Sequence, residues 1–298
     1  MKHIILTGSS SGFGMITAQV LAKSGHQVYA TMRNIHTSNA DTAKNLRHWA
    51  EQQHVNIQIV ELDVTSDVSV EKAVREILSH SEGKIDVLIN NAGSAFIGLN
   101  ETLSATQTDQ MFQINVIGVD RMIKAVLPFM HLQKNGLIIT LSSVASRQPI
   151  PIMGAYGATK AAVDALSVSY YYELMSSGID VAIVQPGAYP STDIFTRQAI
   201  PANPDSEKYY GADMRKFKAS VVNLFTPGPE NPDTAEVAGV IAELIGQEKG
   251  QRQLWTIING GPLADSISET NQSIRQIVDT ILYAAGVAKQ SPSLQNHH

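Results

Sequence analysis

Tyr156 and Lys160 stand four residues apart in YGATK, and Ser143 lies thirteen residues before the tyrosine. On a helix, a spacing of four puts both side chains on one face. A phenol with an ordinary pKa of about 10 is a poor acid–base group at neutral pH, and a neighbouring ammonium favours its ionised form. A tyrosine so placed can protonate a carbonyl oxygen during reduction or deprotonate an alcohol during oxidation. Ser142 or Ser143 can hydrogen-bond the same oxygen. Taken alone, such a pair is more often an exposed helix contact worth a few tenths of a kcal/mol.

A second group of residues suits a phosphate. TGSSSGFG, Thr7 to Gly14, follows the apolar run Ile4–Leu6 and precedes a helical pattern with Ile16 and Val20. A glycine-rich turn between a strand and a helix places the helix N-terminus against a pyrophosphate. The second strand then ends in VYATMRN. Arg33 stands where NAD sites place an acidic residue, and a cation there suits the 2′-phosphate of NADP. ELDVTSD brings Asp63, and VLINNAG brings an amide pair and a glycine, to the ends of two further strands. Ligands of open α/β sheets bind at such ends, although Asp, Asn and Gly also simply favour turns.

The elements that must position these residues alternate. Candidate strands are His3–Leu6, Val28–Met32, Ile57–Leu62, Val87–Ile89, Leu137–Leu141, Val181–Val184 and Leu254–Ile258. Their near-continuous aliphatic character suits strands buried on both faces. Between them lie helical patterns. Val70, Ala73, Val74, Ile77 and Leu78 form one apolar stripe that Ser66 or Ser69 can cap. Strand–helix alternation means right-handed crossovers and a parallel sheet with helices on both sides.

The rhythm breaks between Pro186 and Pro232, which hold seven of the twelve prolines. Long irregular segments in compact domains are usually lids or binding loops, or are disordered. Within it, Tyr210, Met214, Phe217, Val221 and Leu224 share a helical face. Asp233 and Glu236 are spaced as a capping pair for a helix to Ile245, and a last helix near Ser273–Ala285 has an apolar face to pack on the body.

The 298 residues are 43% hydrophobic and 16% charged, with a net charge of −5 and no long basic block. That is globular composition and argues against a nucleic-acid partner. With no cysteine, zinc-thiolate sites, disulfides and thiol nucleophiles are excluded. The nine histidines, including His297 and His298, show no metal-ligand spacing. No stretch approaches the ~20 apolar residues of a membrane span, and Ile4–Leu6 is too short for a secretory signal. The expected setting is cytoplasmic.

In order, TGSSSGFG, Arg33, Asp63, NNAG, Asn115, Ser143, YGATK and QPG resemble the short-chain dehydrogenase/reductase family over nearly the whole chain. VYATMRN is similar to its NADP-preferring, 17β-hydroxysteroid- and retinol-dehydrogenase-like branch. The resemblance implies a Rossmann-type, doubly wound parallel α/β sheet of about seven strands, one domain over 1–298, with a substrate lid at 188–232.

It also implies roles. Tyr156 is the acid–base, Lys160 lowers its pKa and holds the nicotinamide ribose, and Ser143 rather than Ser142 polarises the substrate oxygen. Asn115 holds a water through its backbone. Contacts to NADP(H), preferred over NAD(H), fall on Gly8, Ser10, Ser11, Gly12, Phe13 and Gly14 of the loop, and on Arg33, Asp63 and Val64. The remainder fall on Asn90, Ala92 and Gly93, on Tyr156 and Lys160, and on Pro186, Gly187 and Thr192.

Two positions depart from the pattern. Ser11 stands where NADP-binding members often carry a basic residue, and Ser191 stands where a threonine is usual, with Thr192 next. Tyr189, Phe195, Phe217 and Phe225 of the insertion, with Phe96 and Ile97, suit a bulky hydrophobic ketone, aldehyde or secondary alcohol, or simply pack the lid. Family members often pair through the helices bearing Asn115 and Tyr156, which implies a homodimer or homotetramer. The competing readings are a silent NADP(H)-binding regulatory protein and an epimerase or dehydratase on the same scaffold.

Overall fold

Ile4, Ile5 and Leu6 are wholly buried, and the two sides of their strand feed two different cores. Side chains alternate across a sheet, so a strand apolar at every position needs cover on both faces. The computed structural model, which describes residues 1–192, 194, 197–228 and 231–287, supplies that cover. Seven parallel strands run β1 His3–Leu6, β2 Gln27–Met32, β3 Ile57–Glu61, β4 Val87–Asn90, β5 Gly136–Leu141, β6 Ile179–Pro186 and β7 Trp255–Ile258. Their order is β3-β2-β1-β4-β5-β6-β7.

Ile4 and Leu6 face a core shared with α1 Gly12–Lys23, α2 Ala40–Gln53 and α8 Ala235–Gly246. Ile5 faces one shared with α3 Asp67–His80, α5 Gly118–Gln133 and α6 Gly154–Glu173. Each such side chain fully buried contributes roughly 1.5–3 kcal/mol. The chain order reverses direction between β1 and β4, which opens a crevice at their carboxyl ends.

Local details refine the expectations. Ser66 is the residue that caps α3, accepting from the Ser69 N–H at 3.3 Å. The Ser69 hydroxyl instead accepts from the Asp63 N–H at 2.9 Å and braces the end of β3. The Asp233–Glu236 capping pair does not form. Asp233 accepts from the Ala235 N–H, while Glu236 turns away to accept the Tyr189 hydroxyl at 2.7 Å. β6 extends at both ends beyond the expected Val181–Val184.

The last helix, α9, spans Ala264–Ala284 and begins nine residues before the expected start at Ser273. Its buried residues are Ile267 and Asn271, and Val278 packs against the body, but Ile277 and Ile281 are each 60% exposed. The apolar face expected of this helix therefore docks only in part. The face that docks is set farther round the helix, where Asn271 and Asp279 find polar partners.

The insertion contains α7, Ala212–Leu224, and is tied to the segment after β4. Asn203 N–H donates to the Thr102 carbonyl at 2.9 Å, and the Gln107 side chain bonds the backbone at Ile200 and Ala202. α4, Ala105–Phe112, which carries Gln107, runs through a π turn at Gln113–Ile117 into α5. Phe195, His297 and His298 lie outside the described residues. No described helix is long and apolar enough to cross a membrane.

Candidate active site

The crevice at the carboxyl edge is one cavity of about 930 Å³. Its cofactor-side wall starts with the Thr7–Gly14 loop, whose shape is set by backbone contacts. Gly8 has φ +71°, and a Cβ there would lie 2.7 Å from Ala92 Cα. A Cβ on Gly14 would lie 2.2 Å from the Gly8 carbonyl, so α1 starts flush against the loop. Gly12 faces the Thr192 side chain, which brings the loop beside the segment after β6. The Asn91 amide donates to the Thr7 and Gly8 carbonyls at 2.8 and 2.9 Å, and Thr7 Oγ1 accepts the Asn91 and Ala92 N–H groups at 3.0 Å.

Ser11 is the N-cap of α1, yet its hydroxyl makes no capping bond, and no acidic residue lies in the first turn. Unpaired N–H groups and a free hydroxyl at a positive helix end are what an anion requires. Ser10, Ser11, Gly12 and Phe13 line the cavity; Gly14 sits behind them as a packing contact.

Arg33 is exposed on the same wall, and among the described residues its guanidinium has no carboxylate partner. Asn34, Ser38, Asn39 and Thr42 stand on the wall with it, and the Asn39 amide holds the Arg33 carbonyl at 2.7 Å. The sequence reading omitted these four, although the polar run RNIHTSNADT directly after β2 was the available signal. Asp63 and Val64 also line the cavity. Asp63 meanwhile accepts the Thr65 N–H and hydroxyl at 2.9 and 2.7 Å, so it forms the turn while lining the cavity.

Of the amide pair, Asn90 is buried inside β4, 2% exposed, and does not reach the wall. Asn91, Ala92 and Gly93 do. Pro186, Gly187 and Thr192 complete this side. Thr192 is buried on the wall, with its hydroxyl on the Tyr189 carbonyl at 2.9 Å, whereas Ser191 is exposed.

Three residues suited to proton transfer lie together on this cavity. Ser143 follows β5, and Tyr156 and Lys160 stand one turn apart on α6; all three line the cavity and are under 10% exposed. The Tyr156 and Ser143 side chains are hydrogen-bonded. Ser143 Oγ also accepts from the Ala145 N–H at 3.1 Å. Ser142 also lines the cavity, with its hydroxyl 3.5 Å from the Lys160 carbonyl. Lys160 Nζ donates to the Leu141 carbonyl at 2.9 Å and lies 5.7 Å from the Tyr156 ring centre.

Asn115 lies off the wall in the π turn. Its side chain is used up, accepting from the Ser94 N–H at 2.8 Å and donating to the Ser94 carbonyl and the Thr159 hydroxyl. Only its main chain remains for other bonds. A Cβ at Gly93 would lie 3.4 Å from Asn115 Oδ1 and 4.0 Å from Lys160 Nζ, which puts all three residues together.

Electrostatics correct one expectation. Burial pushes the Tyr156 phenol up to about 12, and the Ser143 bond only partly offsets it. In the free protein the phenol is thus raised rather than lowered. Burial lowers Lys160 itself to about 8, with Asp164 opposing that fall. Removing two groups from water penalises both charged forms more than their mutual attraction favours them.

The other half of the cavity is apolar. Ile150, Met153, Ile194, Val221, Leu224 and Phe225 line it, with Gln148 and Arg197 among its polar members. Tyr189 lines it too, packed edge-on against Phe13 at 5.1 Å. Phe96 and Ile97 instead pack behind Tyr156 in a buried cluster, and Phe217 is 38% exposed, away from the cavity. The insertion aromatics thus divide between lining and packing.

A doubly wound sheet with this loop and crevice is a dinucleotide-binding architecture. The family model described as short chain dehydrogenase matches residues 2–201, and the chain belongs to that family, whose members transfer hydride between NAD(P)H and carbonyl or alcohol groups. It is 35% identical over 215 residues to a 3-ketodihydrosphingosine reductase of Bacteroides thetaiotaomicron, covering 72% of this chain and 74% of that protein. It is 30% identical to bovine retinol dehydrogenase 8, over 83% of this chain and 79% of that one. Among solved structures, a short-chain dehydrogenase from Sphingobium yanoikuyae in complex with NADPH is 25% identical, covers both chains fully and superposes with a TM-score of 0.69. Other structures of this fold hold NAD in one case and NADP in another.

Proposed function

We propose that this protein is an NADP(H)-dependent oxidoreductase that transfers hydride between nicotinamide and a bulky hydrophobic ketone, aldehyde or secondary alcohol, with Tyr156 as the acid–base. The observation that carries the reading is that Ser143, Tyr156 and Lys160 lie on one cavity between a phosphate-suited wall and an apolar wall. The glycine cradle, the unused Ser11 hydroxyl and the unpartnered Arg33 fit a dinucleotide with a 2′-phosphate. When bound, the nicotinamide supplies the hydride.

The chain's residues do the rest. Ser143 donates to the substrate oxygen, and Tyr156, neutral over the physiological range, delivers its proton to that oxygen in reduction. Lys160 holds positive charge beneath the phenol, and the backbone at Asn115 holds a water that links Lys160 to solvent. Phe225, Val221 and Ile194 exclude water from the reacting face. The relatives named for 3-ketodihydrosphingosine and retinol both point to molecules that are mostly hydrocarbon, in keeping with this wall. Residues 188–232 act as its lid, within one domain.

In the reduction direction kcat/KM reports groups of the free enzyme, so it falls as pH rises through about 8, where Lys160 loses its proton. The test is a fluorescence titration with NADPH and NADH, followed by nicotinamide absorbance over a panel of apolar carbonyls. Tighter NADPH binding with turnover of long or polycyclic carbonyls supports the reading; preference for NADH, or tight NADPH binding with no turnover, contradicts it. A homodimer or homotetramer through α5 and α6 is the accompanying proposal, with Tyr170 and Tyr172 bonded to Asp120 and Asp279 within the chain. A monomeric mass by light scattering at micromolar concentration would refute it.

A further inference from the structure

Of the two residues that α9 buries, Ile267 is apolar and Asn271 is an amide. The helix lies beyond the stretch that the family model matches, and most of its residues are exposed. Asn271 Oδ1 accepts from Arg147 Nε at 2.8 Å, and Asn271 Nδ2 donates to Gln185 Oε1 at 2.7 Å. Gln185 Nε2 donates to Ser146 Oγ at 3.0 Å, and Ser146 Oγ donates to the Ser143 carbonyl at 2.8 Å. The Ser146 N–H reaches the same carbonyl at 3.0 Å. The bonds thus run from the short turn after Ser143 to α9, on to β6, and back to Ser143. Replacing such a set by apolar groups of the same shape can be nearly neutral, so stability alone does not select an amide at 271.

The set has a direction. A guanidinium only donates, so Arg147 turns the oxygen of Asn271 toward itself and the NH2 toward Gln185. The two ends of the Gln185 amide are alike in shape. Asn271 donating to its oxygen is what turns its NH2 toward Ser146. The Ser146 hydroxyl has a single hydrogen, and Asp164 Oδ2 competes for it at 3.2 Å. That oxygen already receives Gln185 Nε2 at 2.8 Å and Arg147 Nη2 at 3.0 Å, so the shorter bond to the Ser143 carbonyl takes the hydrogen. We propose that Asn271 is a positioning residue for the reaction: through Gln185 and Ser146 it fixes the turn from which the Ser143 hydroxyl meets the substrate oxygen. This rests on reading Ser143 as a donor to that oxygen. It makes α9 a supporting element of the active site.

The test is a double-mutant cycle between Asn271→Leu and Ser143→Ala, with kcat, KM and NADPH affinity measured for each protein. Asn271→Leu keeps the volume and removes both bonds, while Arg147 keeps its contact with Asp164. It should lower kcat about tenfold or more and leave NADPH affinity within about twofold. In the Ser143→Ala background the same substitution should cost no more than about twofold, because its route to the reaction is already gone. Amide hydrogen exchange on cofactor-free protein should quicken at Ala145, Ser146 and Arg147, whose N–H groups bond within the turn, and stay unchanged in the Thr7–Gly14 loop. If Asn271→Leu does not fold, Asn271→Asp carries the same cycle, since it keeps the acceptor for Arg147 and removes the donor to Gln185. Unchanged kcat in the Asn271 variant, or an equal loss in both backgrounds, makes the amide structural only and overturns the proposal. Failure of the catalytic reading looks different: wild type turns over no carbonyl while exchange in the Ser143 turn still quickens in the variant.

Discussion

The two halves of the cavity are built from different materials. The cofactor half is made of backbone: glycines too crowded for a Cβ, N–H groups at the start of α1, and an asparagine clamp on the Thr7 and Gly8 carbonyls. The substrate half is made of apolar side chains from the insertion and the turn after β5. Backbone geometry tolerates few residues at each position, whereas an apolar wall keeps its character through many substitutions of similar volume. The first half therefore constrains one ligand closely, and the second admits a class.

That contrast can be broken most severely at Gly14. Gly14→Val puts branched carbons into the Gly8 carbonyl and the Asn91 amide, and dinucleotide binding should be lost with at least about 3 kcal/mol of stability. Calorimetric titration and a thermal melt check both. A smaller effect is expected at Arg33. Arg33→Glu replaces a free cation with an anion and should weaken NADPH binding about 10- to 100-fold while leaving NADH nearly unchanged, as befits a charge-assisted contact of roughly 1.5–3 kcal/mol. Equal losses for both cofactors would place Arg33 outside 2′-phosphate recognition. The mildest change is on the apolar wall. Phe225→Ala should raise KM for long apolar carbonyls by about tenfold or less, with NADPH affinity unaffected. A parallel fall in NADPH affinity would mean that the two halves are not independent.

The same contrast explains what could be read in the sequence. Glycine spacing, Arg33 and the ordered Ser143, Tyr156 and Lys160 are local signals, and the structure gathers them on one cavity. Strands were legible because β1 and β5 are apolar at nearly every position. Other features depended on long-range contacts. Asn90 and Asn91 are equivalent in sequence, but β4 ends at Asn90, and it is Asn91, just beyond it, that lies on the wall. Glu236 has capping spacing but is drawn off by Tyr189, forty-seven residues away. The pairing of Arg147 with Asp164 and Asn271 joins residues from three parts of the chain and leaves no local pattern. The free-protein pKa of Tyr156 likewise follows from burial, which spacing alone does not reveal.

The most direct measurement is NADPH oxidation by an apolar ketone with wild type and Tyr156→Phe side by side, each titrated with NADPH beforehand. Removing a single buried hydroxyl should leave NADPH affinity within a few-fold and lower kcat by about 10²- to 10⁴-fold, the range for loss of a positioned acid. Turnover at the wild-type rate by Tyr156→Phe would contradict the assignment of Tyr156 as the proton donor.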